Sequence, residues 1–129
     1  MNIQLVGPIC GTGYGLATAH LTWALQRIFG EKIRLWPMGE PDTRWLKPEV
    51  EEAVVNAISV ETDYMQRKIK PDYTFCVWHE WDHPPVSMEP IVPGEFADKY
   101  IAMPTFELDQ VRPEAVQALQ SCYRVMVSS

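Results

Sequence analysis

Short apolar runs alternate along the chain with stretches whose apolar residues recur at helical spacing. Asn2-Ile-Gln-Leu-Val6 reads as a strand closed by Gly7-Pro8. Gly11-Thr-Gly-Tyr-Gly15 reads as a flexible loop. Leu16, Ala17, His20, Leu21, Ala24, Leu25 and Ile28 then keep a helical period up to Gly30, which predicts a helix over about 16–29. Lys32–Trp36 is a second strand, stopped by Pro37. Pro48 before Glu-Val-Glu-Glu-Ala marks the first turn of a second helix, running to about Ile58. A further helical piece is expected over 62–69, with an edge strand near 54–60 as the alternative. Tyr73–Trp78 is a third strand, aromatic and β-branched. A long loop rich in proline and acidic residues covers 82–97. Lys99–Met103 is a fourth strand, Arg112-Pro113 opens a helix, and Arg124–Val127 is a fifth strand.

Strands alternating with helices imply βαβ units with right-handed crossovers. The expected fold is α/β: a single domain over 1–129, built as a Rossmann-like three-layer sandwich. Its mainly parallel sheet would have about five or six strands, with helices on both faces. In such sheets ligands bind beyond the carboxyl ends of the strands. Three segments gather there: the glycine loop, the His79-Glu80 loop after strand three, and Thr105-Phe-Glu107-Leu-Asp109 after strand four.

Composition narrows the class. With 129 residues, 47% hydrophobic and 22% charged, the chain can bury a sizeable core. A net charge of -6 without a basic patch argues against nucleic acid as a partner. No apolar run approaches the roughly 20 residues of a membrane span, and no signal-peptide pattern opens the chain. Cys10, Cys76 and Cys122 are odd in number and lie in or beside apolar segments, so they read as buried, reduced thiols of a cytoplasmic protein.

The chemistry-bearing residues cluster late. His79-Glu80-Trp81-Asp82-His83 spells the zinc-protease pattern H-E-x-x-H. That pattern needs a helix to bring both imidazoles onto one face. Here a strand precedes it and Pro84-Pro85 comes directly after, and Pro84 disfavours a helical His83. No metal is therefore expected. Gly11–Gly15 lacks both the G-x-G-x-x-G spacing and the G-K-[ST] of a P-loop. It is either a tight strand-to-helix turn or a backbone that approaches an anion or sugar at a helix start. His79 can serve as base or hydrogen-bond partner, or simply pack beside Trp78 and Trp81. Glu80 and Trp81 are substrate-contact candidates on the same loop; Trp81 can stack on a sugar, or serve packing or an interface. Glu107 is the acidic candidate, and Asp109 can cap the next helix or turn. A flavodoxin-like or response-regulator-like domain would want a phosphate-cradling Ser/Thr loop or an acidic pocket after strand one, and neither is present.

Ile3-Gln-Leu-Val-Gly-Pro-Ile-Cys-Gly-Thr-Gly-Tyr-Gly-Leu-Ala, then Pro104-Thr-Phe-Glu-Leu-Asp, then Tyr123-Arg-Val-Met-Val-Ser-Ser129, taken in order, resemble the N-terminal half of GT-B glycosyltransferases. The likeness is greatest to the family-4 retaining type and covers essentially the whole chain. It implies transfer of a sugar from a nucleotide-sugar donor to an acceptor hydroxyl, without a cofactor, in a cleft between two Rossmann-like domains. By that resemblance Gly13, Tyr14 and Gly15 match the loop that approaches the donor phosphates or reacting sugar. His79 matches a cleft histidine touching the transferred sugar or acceptor, and Glu107 an acidic cleft residue.

The chain stops about where that family continues into its linker, so the donor-binding domain is expected to be absent or supplied by a partner chain. The acceptor-side domain alone is then expected to be inactive. An exposed cleft face carrying Trp78, Trp81 and Phe106 would favour a homo-oligomer. The alternative is a stand-alone carbohydrate- or nucleotide-binding module.

Overall fold

The computed structural model describes residues 1–30, 32–78, 99–104, 113, 120 and 122–126. The elements run β1 (Ile3–Gly7), α1 (Gly13–Phe29), β2 (Ile33–Pro37), α2 (Pro48–Gln66), β3 (Tyr73–Trp78), β4 (Lys99–Pro104) and β5 (Arg124–Val125). All pairings are parallel, and the strands are arranged in the order β2-β1-β3-β4-β5. The α/β class and the parallel sheet agree with the strand–helix alternation. Every residue of β1 is buried, as a central parallel strand requires.

From β1 the chain crosses to β2 on one side, then returns past β1 to β3. That reversal sets a topological switch point between β1 and β3, as in flavodoxin-like sheets. Strand order alone does not restore a flavodoxin-like function, because function lives in the site.

Alternation along the strands sends Ile3, Leu5, Ile33, Leu35 and Phe75 to one face. They join Ala19 of α1 and Val50, Val54 and Ala57 of α2 in the main apolar cluster. Full burial of a side chain such as Leu5 contributes about 1.5–3 kcal/mol. α1 lies over β1, β2 and β3, whereas α2 packs along β2 and against α1. The Gln26 amide joins the helices by donating to the Ala53 carbonyl at 2.8 Å.

The buried face of α1 differs from the expected one. Gly15, Thr18, Ala19 and Thr22 are buried, while His20 and Ile28 are exposed. Small residues let the helix axis approach the sheet, and the two threonines satisfy their hydroxyls on the Tyr14 and Thr18 carbonyls at 2.8 Å. Helix α1 also begins at Gly13, so Gly13-Tyr14-Gly15 forms its first turn instead of a flexible loop. Its end is set by Gly30 at φ 86°, whose N–H donates to Gln26.

Helix α2 is one continuous element through the region expected to break near Ile58, and no strand occupies 54–60. Pro48 at its start and Glu49 and Glu51 in its first turn suit the positive end of the helix dipole. It stops in a Schellman turn: Lys68 N–H donates to Met65 and Ile69 N–H to Tyr64, with Lys68 held at φ 55°.

That turn feeds a buried polar cluster on the opposite sheet face. Glu61 and Arg34 are 1% and 2% exposed. Arg34 donates through Nε to Glu61 Oε2 at 2.6 Å, through Nη2 to Oε1 at 3.0 Å, and through Nη1 to the Ile69 carbonyl at 2.6 Å. Gln4 Nε2 donates to Glu61 Oε1 at 3.0 Å, and Thr74 donates to Gln4 Oε1 at 2.9 Å. The Tyr64 ring covers the guanidinium at 5.3 Å.

None of the three cysteines is in a disulfide, but only Cys76 is buried; Cys10 and Cys122 are partly accessible because they sit in loops. Among the described residues, no helix is long and apolar enough to cross a membrane. The expected loop at 82–97 lies outside the described residues, and the helix from 112 does so except at single positions.

Candidate functional site

The candidate site is built where β1 ends. Gly7 closes the strand at a close approach of α1: a Cβ there would fall 2.6 Å from Thr18 Oγ1 and 3.2 Å from the Val77 carbonyl. Ile9 turns back into the core. Cys10 then meets the first turn of α1, where a Cβ on Gly15 would lie 2.3 Å from both the Cys10 nitrogen and oxygen. Only glycine allows that backbone-to-backbone contact. The Cys10 thiol and the Thr12 hydroxyl share a hydrogen bond at 3.0 Å. Thr12 is the N-cap residue of α1 without a side-chain capping bond.

The segment after β2 runs beside this loop. Met38 N–H donates to the Gly7 carbonyl at 2.9 Å and Asp42 N–H to the Ile9 carbonyl at 2.8 Å. Gly39, at φ 83°, supplies the left-handed turn between them. Arg44 then grips Asp42 with Nε at 2.9 Å and Nη2 at 2.8 Å, a two-point contact on an exposed pair. Those hydrogen bonds hold the Asp42 carboxyl down at about 2, from 3.8, and raise Arg44. The Trp45 indole lies against Gly11.

Of the glycine-loop candidates, Gly13 is exposed with open space around it, so its backbone is accessible to a ligand. Tyr14 is half-buried, and its carbonyl accepts the Thr18 hydroxyl. Gly15 is buried and its smallness serves packing on Cys10. His79, Glu80, Trp81 and Glu107 lie outside the described residues, as do His83, Phe106 and Asp109 and the side chain of Trp78. In the chain, His79 comes directly after β3, the strand paired with β1 in the register Val6 to Cys76.

Among the described residues, no group of three or more His, Cys, Asp or Glu side chains is placed to hold a metal. Two open depressions lie elsewhere: about 570 Å³ beside Lys70, Tyr73 and Lys99, and about 330 Å³ between α1 and α2. The first sits at the amino ends of β3 and β4, the wrong end for ligands of a parallel sheet. The second is rimmed by Arg27, Glu49 and Glu52 on exposed helix surface.

Sequence reasoning missed Asp42, Arg44 and Trp45. The available signal was a Gly/Pro-rich loop, Met38-Gly-Glu-Pro-Asp-Thr-Arg-Trp45, directly after a strand. No known protein family, curated protein or solved structure matches the chain.

Proposed function

We propose that the chain is the acceptor-side domain of a retaining glycosyltransferase, a Rossmann-like three-layer sandwich of five or six strands. The observation that carries this reading is the switch point between β1 and β3, with an accessible glycine-rich helix start on one side. An open backbone at a helix N-terminus accepts the hydroxyls or phosphates of a sugar substrate without a dedicated charged side chain. His79 comes next on the other strand in the chain and is assigned the contact with the reacting sugar, with Glu80, Trp81 and Glu107 as further substrate contacts. The reading implies a donor-binding domain as partner, a nucleotide-sugar and a sugar acceptor as substrates, and self-association. A cytoplasmic setting belongs to it and is supported by three cysteines outside any disulfide.

The test is an amide-resolved NMR titration of the chain with methyl glycosides and with UDP-glucose and GDP-mannose. Shifts confined to 11–15 and 79–81 are expected for at least one sugar, without turnover by this chain alone. Unmoved amides at 11–15 across the panel at millimolar ligand would overturn the site. Turnover by the purified chain would overturn the half-enzyme reading.

A further inference from the structure

Trp45 is held firmly and yet left open. A Cβ on Gly11 would fall 2.6 Å from its Nε1 and 2.8 Å from its Cδ1, so this contact exists only because residue 11 is glycine. Asp42, three residues before Trp45, is clamped by Arg44. The backbone on either side is tied by Asp42 N–H to Ile9 and by Leu46 N–H to Thr43. Despite these restraints the residue is 64% exposed. A tryptophan brings more apolar area than almost any other residue and normally buries it. Here the loop fixes one side of the ring and presents the rest to solvent. It does so beside the glycine loop, since Gly11 touches Trp45 and its neighbour Cys10 touches Gly15.

We infer that Trp45 is the stacking platform for a sugar ring of the acceptor; this deepens the functional reading above and rests on it. The C–H bonds on one face of a pyranose carry partial positive charge and match the negative face of the indole. Asp42 and Arg44 neutralise each other beside the ring, so the platform favours an uncharged ring over a phosphate.

The test uses the full chain labelled with 5-fluorotryptophan, whose five tryptophans give five ¹⁹F signals. Trp45→Phe identifies the relevant one. Methyl α-glucopyranoside, methyl α-mannopyranoside and uridine are the probes. A glycoside is expected to shift the Trp45 signal. Trp45→Ala should weaken its binding about tenfold, while Trp45→Phe, which keeps an aromatic face, stays within about threefold. Because the side chain is exposed, Trp45→Ala should keep the wild-type urea midpoint, which separates binding loss from unfolding. If glycosides move the 11–15 amides while Trp45 stays silent, or Trp45→Ala binds like wild type, the platform is wrong and the functional reading survives. A Trp45 signal moved by uridine alone overturns the sugar assignment. Silence at both Trp45 and 11–15 overturns both proposals.

Discussion

Replacing Glu61 with alanine is expected to be among the most damaging single changes outside the apolar core. The carboxylate receives two bonds from Arg34 and one from Gln4, at 2.6 to 3.0 Å, in a setting with essentially no solvent. Its removal leaves a buried guanidinium held only by the Ile69 carbonyl and the Tyr64 ring. Breaking a buried pair in this way costs about 3–5 kcal/mol. Domains of this size are stable by about 5–15 kcal/mol, so the variant sits near the edge of folding. With a urea slope of about 2 kcal/mol/M, the midpoint should fall by about 2 M. Arg34→Met should cost a similar amount, because it strands the carboxylate. The double variant Arg34→Met with Glu61→Ala should lose much less than the sum, since no unpaired charge remains. It should still fall short of wild type, because Gln4 and the Ile69 carbonyl each lose a partner, at about 1–3 kcal/mol apiece. Urea unfolding monitored by far-ultraviolet circular dichroism measures all four proteins. Single changes below about 1 kcal/mol, or losses that add within about 0.5 kcal/mol, would show that Arg34 and Glu61 are not coupled as a buried pair.

Local geometry sets three further outcomes. Lys68→Gly should raise stability by about 0.5–1 kcal/mol, because a lysine at φ 55° sits where glycine costs nothing; an unchanged or lower melting temperature would contradict this. Gly15→Ala should destabilise by about 1–3 kcal/mol and shift the amides of 10–16, since the new methyl meets backbone that cannot yield. Asp42 has its folded value lowered to about 2 by Arg44, so its contribution is complete above 3.8 and lost as pH falls through about 2. Arg44→Ala should return the carboxyl midpoint toward 3.8 in a ¹³C titration, and a midpoint still near 2 would remove Arg44 as the cause.

The strands are legible because each is a short, mostly apolar run bounded by turn residues, and Tyr73–Trp78 matches residue for residue. The face of α1 is not. Its leucines suggest one side, but the sheet takes the side with Gly15, Thr18, Ala19 and Thr22, where close approach matters more than hydrophobicity. Helix α2 reads as two pieces with a gap at 59–61, whereas the Thr62 hydroxyl donates to the Ile58 carbonyl across that gap and Glu61 within it is anchored by Arg34. Of the candidate site, the glycine loop is visible as composition, but its later glycines belong to a helix. Trp45 is invisible, since a lone aromatic in a loop looks like any exposed residue until Gly11 is seen beneath it. Arg34 is equally opaque, because its partner stands 27 positions away.

The polar row Gln4, Arg34 and Thr74 also acts as a proofreading device for assembly. The three side chains come level on one face only when β2, β1 and β3 are in their native alignment. A slip of one residue by β2 would swing Arg34 into the apolar layer and leave Glu61 unanswered. The end of α2 can therefore dock only onto correctly paired strands, joining positions 27 and 57 apart in the chain. Misaligned pairings lack that docking energy, so the contacts at the end of α2 favour the native register.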